Sequence, residues 1–149
     1  MEEFRGGNEV VVEFDARSRN EGFARLVAAA YAAQLNPTLE EIADIKTAVS
    51  EAVTNAVIHG YEGKSGTIRM CLAQADSDIF IEVSDQGVGI ENVLQAMEPT
   101  YTTRPDMERS GMGFAFMEAF TDELEVSSEK GKGTTVRMRK HIMPLESAD

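Results

Sequence analysis

The sequence predicts an α+β fold, a two-layer α/β sandwich whose mixed, mostly antiparallel sheet is covered on one face by helices. Three observations carry this. Apolar and polar residues alternate over 67–73 and 78–84, as in two strands of a hairpin. Ile45, Ala48, Val49, Ala52, Val53, Ala56 and Val57 recur at three- and four-residue steps, the period of a helix with one buried stripe. Strands come in runs with helices interspersed, and 149 residues suffice for one domain with a real core.

Each element has its own signal. Val10-Val11-Val12-Glu13-Phe14 is rich in β-branched residues and reads as a first strand. Asp15 or Ser18 then starts a helix with Phe23, Leu26, Val27, Ala30 and Tyr31 as its apolar stripe. Asn36-Pro37-Thr38 breaks it, and Thr38-Leu39-Glu40-Glu41 has the form of a capping box for the second helix, which ends near Gly60. A glycine-bearing turn over 61–66 leads into the hairpin, and Asp85-Gln86-Gly87-Val88-Gly89-Ile90 closes its second strand. A short helix follows over 91–97. Residues 98–113 hold two prolines, two glycines, three threonines and two arginines, too polar to pack and too long for a plain connection. A helix over 114–120 and strands over 124–128 and 134–140, joined at Gly131-Lys132-Gly133, complete the fold. The tail from Pro144 frays.

Composition narrows the function. The net charge of -12 argues against a nucleic-acid-binding surface and favours a basic protein partner, with acidic solubility as the plain alternative. A single cysteine, Cys71, lies in an alternating run as a core or sheet residue. It can form neither an internal disulfide nor a cysteine-based metal site, which fits a reducing compartment. Met1-Glu2-Glu3-Phe4 lacks the features of a signal peptide, and no apolar run approaches the ~20 residues that span a bilayer, so a cytoplasmic location is expected.

Chemistry gathers at three places. Off the apolar stripe of the second helix, Glu51, Asn55 and His59 are four apart and stack on one face. Asn supplies a neutral oxygen for a hard cation, and Glu can orient or deprotonate an attacking hydroxyl. Asp85-Gln86-Gly87-Val88-Gly89 follows a strand directly. The glycines let the backbone turn tightly and a flat ring approach, while the carboxylate can accept a hydrogen bond from an exocyclic amine. Gly111-Met112-Gly113 precedes a helix whose free N–H groups favour a phosphate. Each motif alone has an ordinary reading as a solvated helix face, a β-turn or a helix start. A Walker A loop is missing from the sequence, so a nucleotide would be held another way. Their order is the stronger signal.

These three boxes, in this order, resemble the GHKL (Bergerat-fold) ATP-binding domain of gyrase, histidine kinases and mismatch-repair ATPases. Ser50-Glu51-Ala52-Val53-Thr54-Asn55-Ala56, Thr102-Thr103-Arg104-Pro105, Glu108-Arg109-Ser110-Gly111-Met112-Gly113-Phe114 and Lys132-Gly133-Thr134-Thr135-Val136 are most similar to the sporulation branch of anti-sigma factors that are also serine protein kinases. The likeness runs from about Val10 to His141, with Arg104 where lysine is as often expected.

The resemblance implies a single domain over 1–149 with an ATP lid at about 98–113. It implies ATP or ADP and Mg²⁺ as cofactors, with Asn55 holding Mg²⁺ and Glu51 as base for the incoming serine. Asp85 would bind the adenine amine, with Gly87 and Gly89 shaping the pocket and Thr134 near the same carboxylate. Arg109 would reach the terminal phosphate as a catalytic residue. Thr103, Ser110, Gly111, Met112 and Gly113 would complete the nucleotide site. Met112 also suits lid packing, and His59 suits a helix end more than catalysis. Glu21 and Arg25 would contact a sigma factor and a competing anti-anti-sigma protein, the phosphorylation substrate, within a homodimer paired through the first strand. A stress-response anti-sigma factor, a nucleotide-regulated binding module without transfer, and a histidine kinase catalytic domain are the alternatives. The last needs an upstream dimerisation helix, whereas this chain opens on a strand.

Overall fold

The computed structural model describes residues 7–98 and 113–143. In chain order the elements are β1 (Gly7–Asp15), α1 (Asn20–Ala32), α2 (Leu39–Asn55), β2 (Thr67–Ala75), β3 (Asp78–Asp85), α3 (Val93–Ala96), α4 (Gly113–Ala119), β4 (Glu123–Glu129) and β5 (Gly133–His141). A short 3₁₀ turn (Ala33–Leu35) follows α1, and a single π turn (Ala56–Gly60) follows α2. The strands form one sheet in the order β1-β2-β3-β5-β4. Every pairing among the described residues is antiparallel, so the sheet is not mixed. Two helices separate β1 from β2, and β5 inserts between β3 and β4, which leaves β1 and β4 at the edges.

The core lies between the sheet and its helical layer. All seven residues of the stripe from Ile45 to Val57 are buried, against Ile68, Met70 and Leu72 of β2, Ile79, Ile81 and Val83 of β3, and Val136 and Met138 of β5. These strand residues alternate along their chains, as one buried sheet face requires. The intervening residues form the opposite face, where Glu82, Arg137 and Glu125 stand opposite one another across three strands. Arg137 bonds Glu82 at 2.8 Å and Glu125 at 3.4 Å. Cys71 lies on this face too, buried all the same. Burial, with the Glu9 carboxylate beside it, pushes its thiol up to about 11, consistent with a structural role.

Apart from shifts of one to three residues at other element ends, three helix boundaries are built differently from the expected ones. Neither Asp15 nor Ser18 caps α1. The cap position is Arg19, in helical conformation and without a side-chain cap bond, because β1 runs on through Asp15. Asn20 instead ties the helix start back to the strand by donating to the Asp15 carbonyl at 2.9 Å. Second, α2 does not continue as α-helix to Gly60 but widens into the π turn, where the Tyr61 N–H bonds the Ala56 carbonyl at 2.9 Å. Third, the short helix expected over 91–97 contracts to α3, capped by Asn92, which accepts from the Gln95 N–H at 3.0 Å. No helix among the described residues is long and apolar enough to cross a membrane.

The capping box of α2 forms as read. The Thr38 hydroxyl accepts from the Glu41 N–H at 3.0 Å and the Glu41 carboxylate from the Thr38 N–H at 2.8 Å. The other Glu41 oxygen accepts from the Met143 N–H at 2.9 Å, so the same side chain fastens the chain beyond β5 to the start of α2. Thr38→Ala is expected to lower the unfolding free energy by about 1 kcal/mol. A lowered urea midpoint at unchanged slope is the expected readout. An unmoved midpoint would show that the cap adds nothing.

Candidate functional site

The apolar stripe of α2 fixes the helix on the sheet and so determines where its polar face points. Asn55 ends the α-helical part. The π turn that follows packs its last residue, Gly60, against Asp85 at the end of β3. A Cβ on Gly60 would come within 2.8 Å of the Asp85 carboxylate. A Cβ on Gly87 would overlap the Gly60 carbonyl oxygen, so that position tolerates only glycine. The same carbonyl accepts from the Val88 N–H at 2.8 Å, and the Val88 carbonyl accepts from the Gly131 N–H at 2.6 Å. Backbone bonds thus join the end of α2, the loop after β3 and the β4–β5 turn. Gly89 sits in this seam with φ of 74°, its missing side chain leaving room for the Glu129 carbonyl. Tyr61 braces the seam from outside, donating to the Thr67 carbonyl at 2.6 Å and accepting from the Gln86 N–H at 2.8 Å.

These elements enclose a cavity of about 930 Å³, a size suited to a small-molecule or cofactor site. Asn55, Asp85, Gly89, Gly113 and Thr134 line it, drawn together from α2, β3, the following loop, α4 and β5. Gly87 shapes the wall without lining it. Glu51, one turn before Asn55, is half-buried and is not among the lining residues. Thr103, Arg109, Ser110, Gly111 and Met112 lie outside the described residues. Glu21 and Arg25 stand apart from the cavity on α1, where Arg25 pairs with Glu21 at 3.3 Å. Glu21 also accepts from the Ser50 hydroxyl, which links α1 to the α2 residue beside Glu51.

Two lining residues are electrostatically unusual. Asp85 is buried, and desolvation raises its carboxyl above the ordinary range. Backbone N–H groups of Gly87 (2.9 Å) and Thr134 partly offset this by bonding the charged form. The Asn55 amide nitrogen is buried without a hydrogen-bond partner among the described residues, and its oxygen lies where a Cβ on Gly113 would approach to 3.1 Å. Such an orphaned amide suits a ligand that supplies the missing acceptor. Among the described residues no group of three or more His, Cys, Asp or Glu is placed to hold a metal ion.

Other cavity residues had no distinguishing signal in the sequence. Val88, Ile90 and Val93 read as loop or helix positions, while Lys130 reads as a turn charge. Val136 could be placed, since it shares the inward face of β5 with Thr134 and Met138.

Comparison with known proteins agrees with this geometry. The histidine kinase-like ATPase domain family matches residues 14–140. An anti-sigma F factor of Clostridium acetobutylicum is 56% identical over 139 residues, covering 93% of this chain and 97% of that protein. Among solved structures, the RsbU and RsbW domains of a Mycobacterium tuberculosis protein superpose with a TM-score of 0.64 at 24% identity, covering 90% of this chain and 32% of that longer one. The catalytic domain of histidine kinase ThkA gives a TM-score of 0.56 at 14% identity, covering 91% and 99% of the two chains. At such identities the structural likeness is one of fold. The chain belongs to the histidine kinase-like ATPase domain family, in its anti-sigma F factor branch. Membership of an ATPase domain family implies that the domain binds a nucleotide.

Asp85 yields a test of the site's electrostatics. With its folded pKa raised, the carboxyl binds a proton more readily folded than unfolded. Its contribution to stability is therefore full below the unfolded value and is lost as pH rises through the folded one. Asp85→Asn is expected to melt at or above the wild-type temperature at neutral pH, with the gap closing as pH falls below the usual carboxylate range. Thermal melts across pH check this, and a variant less stable than wild type at neutral pH would contradict it.

Proposed function

We propose that this protein is an anti-sigma factor that holds a sporulation sigma factor and, with ATP and Mg²⁺, phosphorylates a small anti-anti-sigma protein on serine. The observation that carries the reading is the convergence on one cavity of Asn55, with its orphaned amide, and Asp85, with its buried carboxylate. The relatives named anti-sigma F factor support the partner assignment.

In this reading Asp85 accepts the exocyclic amine of the base, and Gly87 and Gly89 let the backbone close on the ring. Thr134 stands beside the carboxylate, opposite it in the strand register. Asn55 holds the phosphates and Mg²⁺, and Gly113 keeps that approach open. Arg109 and the segment from Ser110 to Met112, with Thr103, complete the phosphate end from the lid over about 98–113. Bound ATP supplies the phosphoryl group. Glu51 receives the proton from the attacking serine hydroxyl as transfer proceeds. Glu21 and Arg25 form part of the partner surface on α1, and β1, at the edge of the sheet, suits pairing of two copies in a homodimer.

A second reading, a nucleotide-regulated binding module without transfer, draws on the position of Glu51 outside the described cavity lining. One variant separates the two. Glu51→Gln is expected to keep ATP and sigma-factor binding while phosphate transfer to the anti-anti-sigma serine falls by about 100-fold or more, the usual weight of a general base. Labelled ATP and phosphoamino-acid analysis supply the readout. Undiminished transfer would remove Glu51 from its role, and no transfer by the wild type to any such partner would favour the binding module.

Asn55→Ala tests the phosphate end. It removes an amide whose nitrogen has no partner among the described residues, so the melting temperature should hold while Mg²⁺-nucleotide affinity collapses. Calorimetry showing unchanged affinity would overturn the assignment.

A further inference from the structure

Ser128, on the inward face of β4, does not line the cavity, yet its hydroxyl sits at a junction beside it. The Ile90 N–H points to Ser128 Oγ at 2.7 Å, the Gly133 carbonyl oxygen lies 2.9 Å away, and Thr134 Oγ1 lies 2.8 Å away. A hydroxyl has one proton to give and two lone pairs to receive. The Ile90 N–H can only donate, so it occupies one lone pair. The Gly133 carbonyl can only accept, so it takes the Ser128 proton. Thr134 must then donate to the remaining lone pair. One arrangement alone satisfies all three contacts, and it commits the Thr134 proton to Ser128.

The consequence falls on the ligand. Thr134 Oγ1 has only lone pairs left for the cavity, and across the register stands Asp85, whose ionised carboxylate is also purely an acceptor. Two adjacent acceptors match the two hydrogens of one exocyclic amine. A carbonyl oxygen in the same place would turn lone pairs toward both of them. We propose that Ser128 is a positioning residue for base specificity: by fixing Thr134 as an acceptor it makes the site prefer 6-amino over 6-oxo purine nucleotides. This rests on the nucleotide-binding reading above. In a free threonine the hydroxyl could rotate to donate to a 6-oxo group, and part of the discrimination would be lost.

The experiment is calorimetric titration of the full chain with ADP and with inosine diphosphate, which carries a 6-oxo group in place of the amine. Ser128→Ala is expected to narrow the preference for ADP by about tenfold, because unmatched polar groups in a binding site discriminate strongly. Ser128→Thr, which keeps the hydroxyl, is expected to restore it. Should the alanine variant not fold, Ser128→Cys, whose sulfur accepts weakly, carries the same expectation. Equal weakening of both ligands, with the ratio unchanged, would overturn the proposal and leave Ser128 as a strut for the Ile90 loop. Narrowing of the same size in a Thr134→Val background would also overturn it, since the effect must pass through Thr134. A wild type that binds neither nucleotide would instead defeat the underlying functional reading, and this inference with it.

Discussion

The Asp85 carboxylate sits where burial disfavours its charge, and the surrounding backbone is arranged around that fact. Two N–H groups, from Gly87 and Thr134, point at it. Gly60 packs so close that no side chain could stand between them. The Gly87 N–H bond to the Asp85 side chain closes a tight turn after β3. The turn in turn carries Val88, whose N–H and carbonyl connect the end of α2 to the β4–β5 turn. One buried charge therefore organises the meeting of elements distant in sequence.

The π turn after Asn55 belongs to the same constraint. The apolar stripe of α2 is continuous through Val57, so sheet packing persists while the hydrogen-bond pattern widens. Widening is rare in helices and concentrates at functional sites, because it leaves one residue out of the regular count. Here it falls between the residue that faces the cavity, Asn55, and the residue that must abut Asp85, Gly60. An uninterrupted α-helix would arrive at Gly60 with a different rotation. The turn thus reconciles two fixed points, one set by core packing and the other by the loop after β3.

Much of this was legible in the sequence, for identifiable reasons. The α2 stripe and its capping box are local and periodic, and both appear where the residues place them. The box around Asp85 was legible because its glycines are demanded by steric contact rather than preference. The start of α1 was not, since Asp15 has cap chemistry but is held in β1 by pairing with Thr67, so tertiary structure prevailed over local preference. The π turn escaped because one widened turn barely changes a hydrophobic period. Ser128 escaped because its significance lies in a register, Ser128 opposite Thr134 and Thr134 opposite Asp85, of which the second pairing joins β5 to β3, strands that are not consecutive in the chain.

A sequence that folds well satisfies its buried polar groups, so the exceptions are informative. Two atoms among the described residues are buried without partners, Asn55 Nδ2 and Gln74 Oε1. Gln74 lies away from the cavity, paired with Gly7 where the β1–β2 register shifts before Val10. Asn55 is the last residue of α2, just before the π turn, and lines the same cavity as a carboxylate whose ionisation burial opposes. Two unfavourable features in one site, with regular packing around them, are what a fold retains when a ligand supplies the missing interactions. A ligand that satisfied both groups would bind the folded chain and not the unfolded one. It would stabilise the domain by linkage, in proportion to the logarithm of its concentration over its dissociation constant. The unpartnered amide and the buried carboxylate each subtract from the stability that the core supplies, and a ligand that satisfied them would return it.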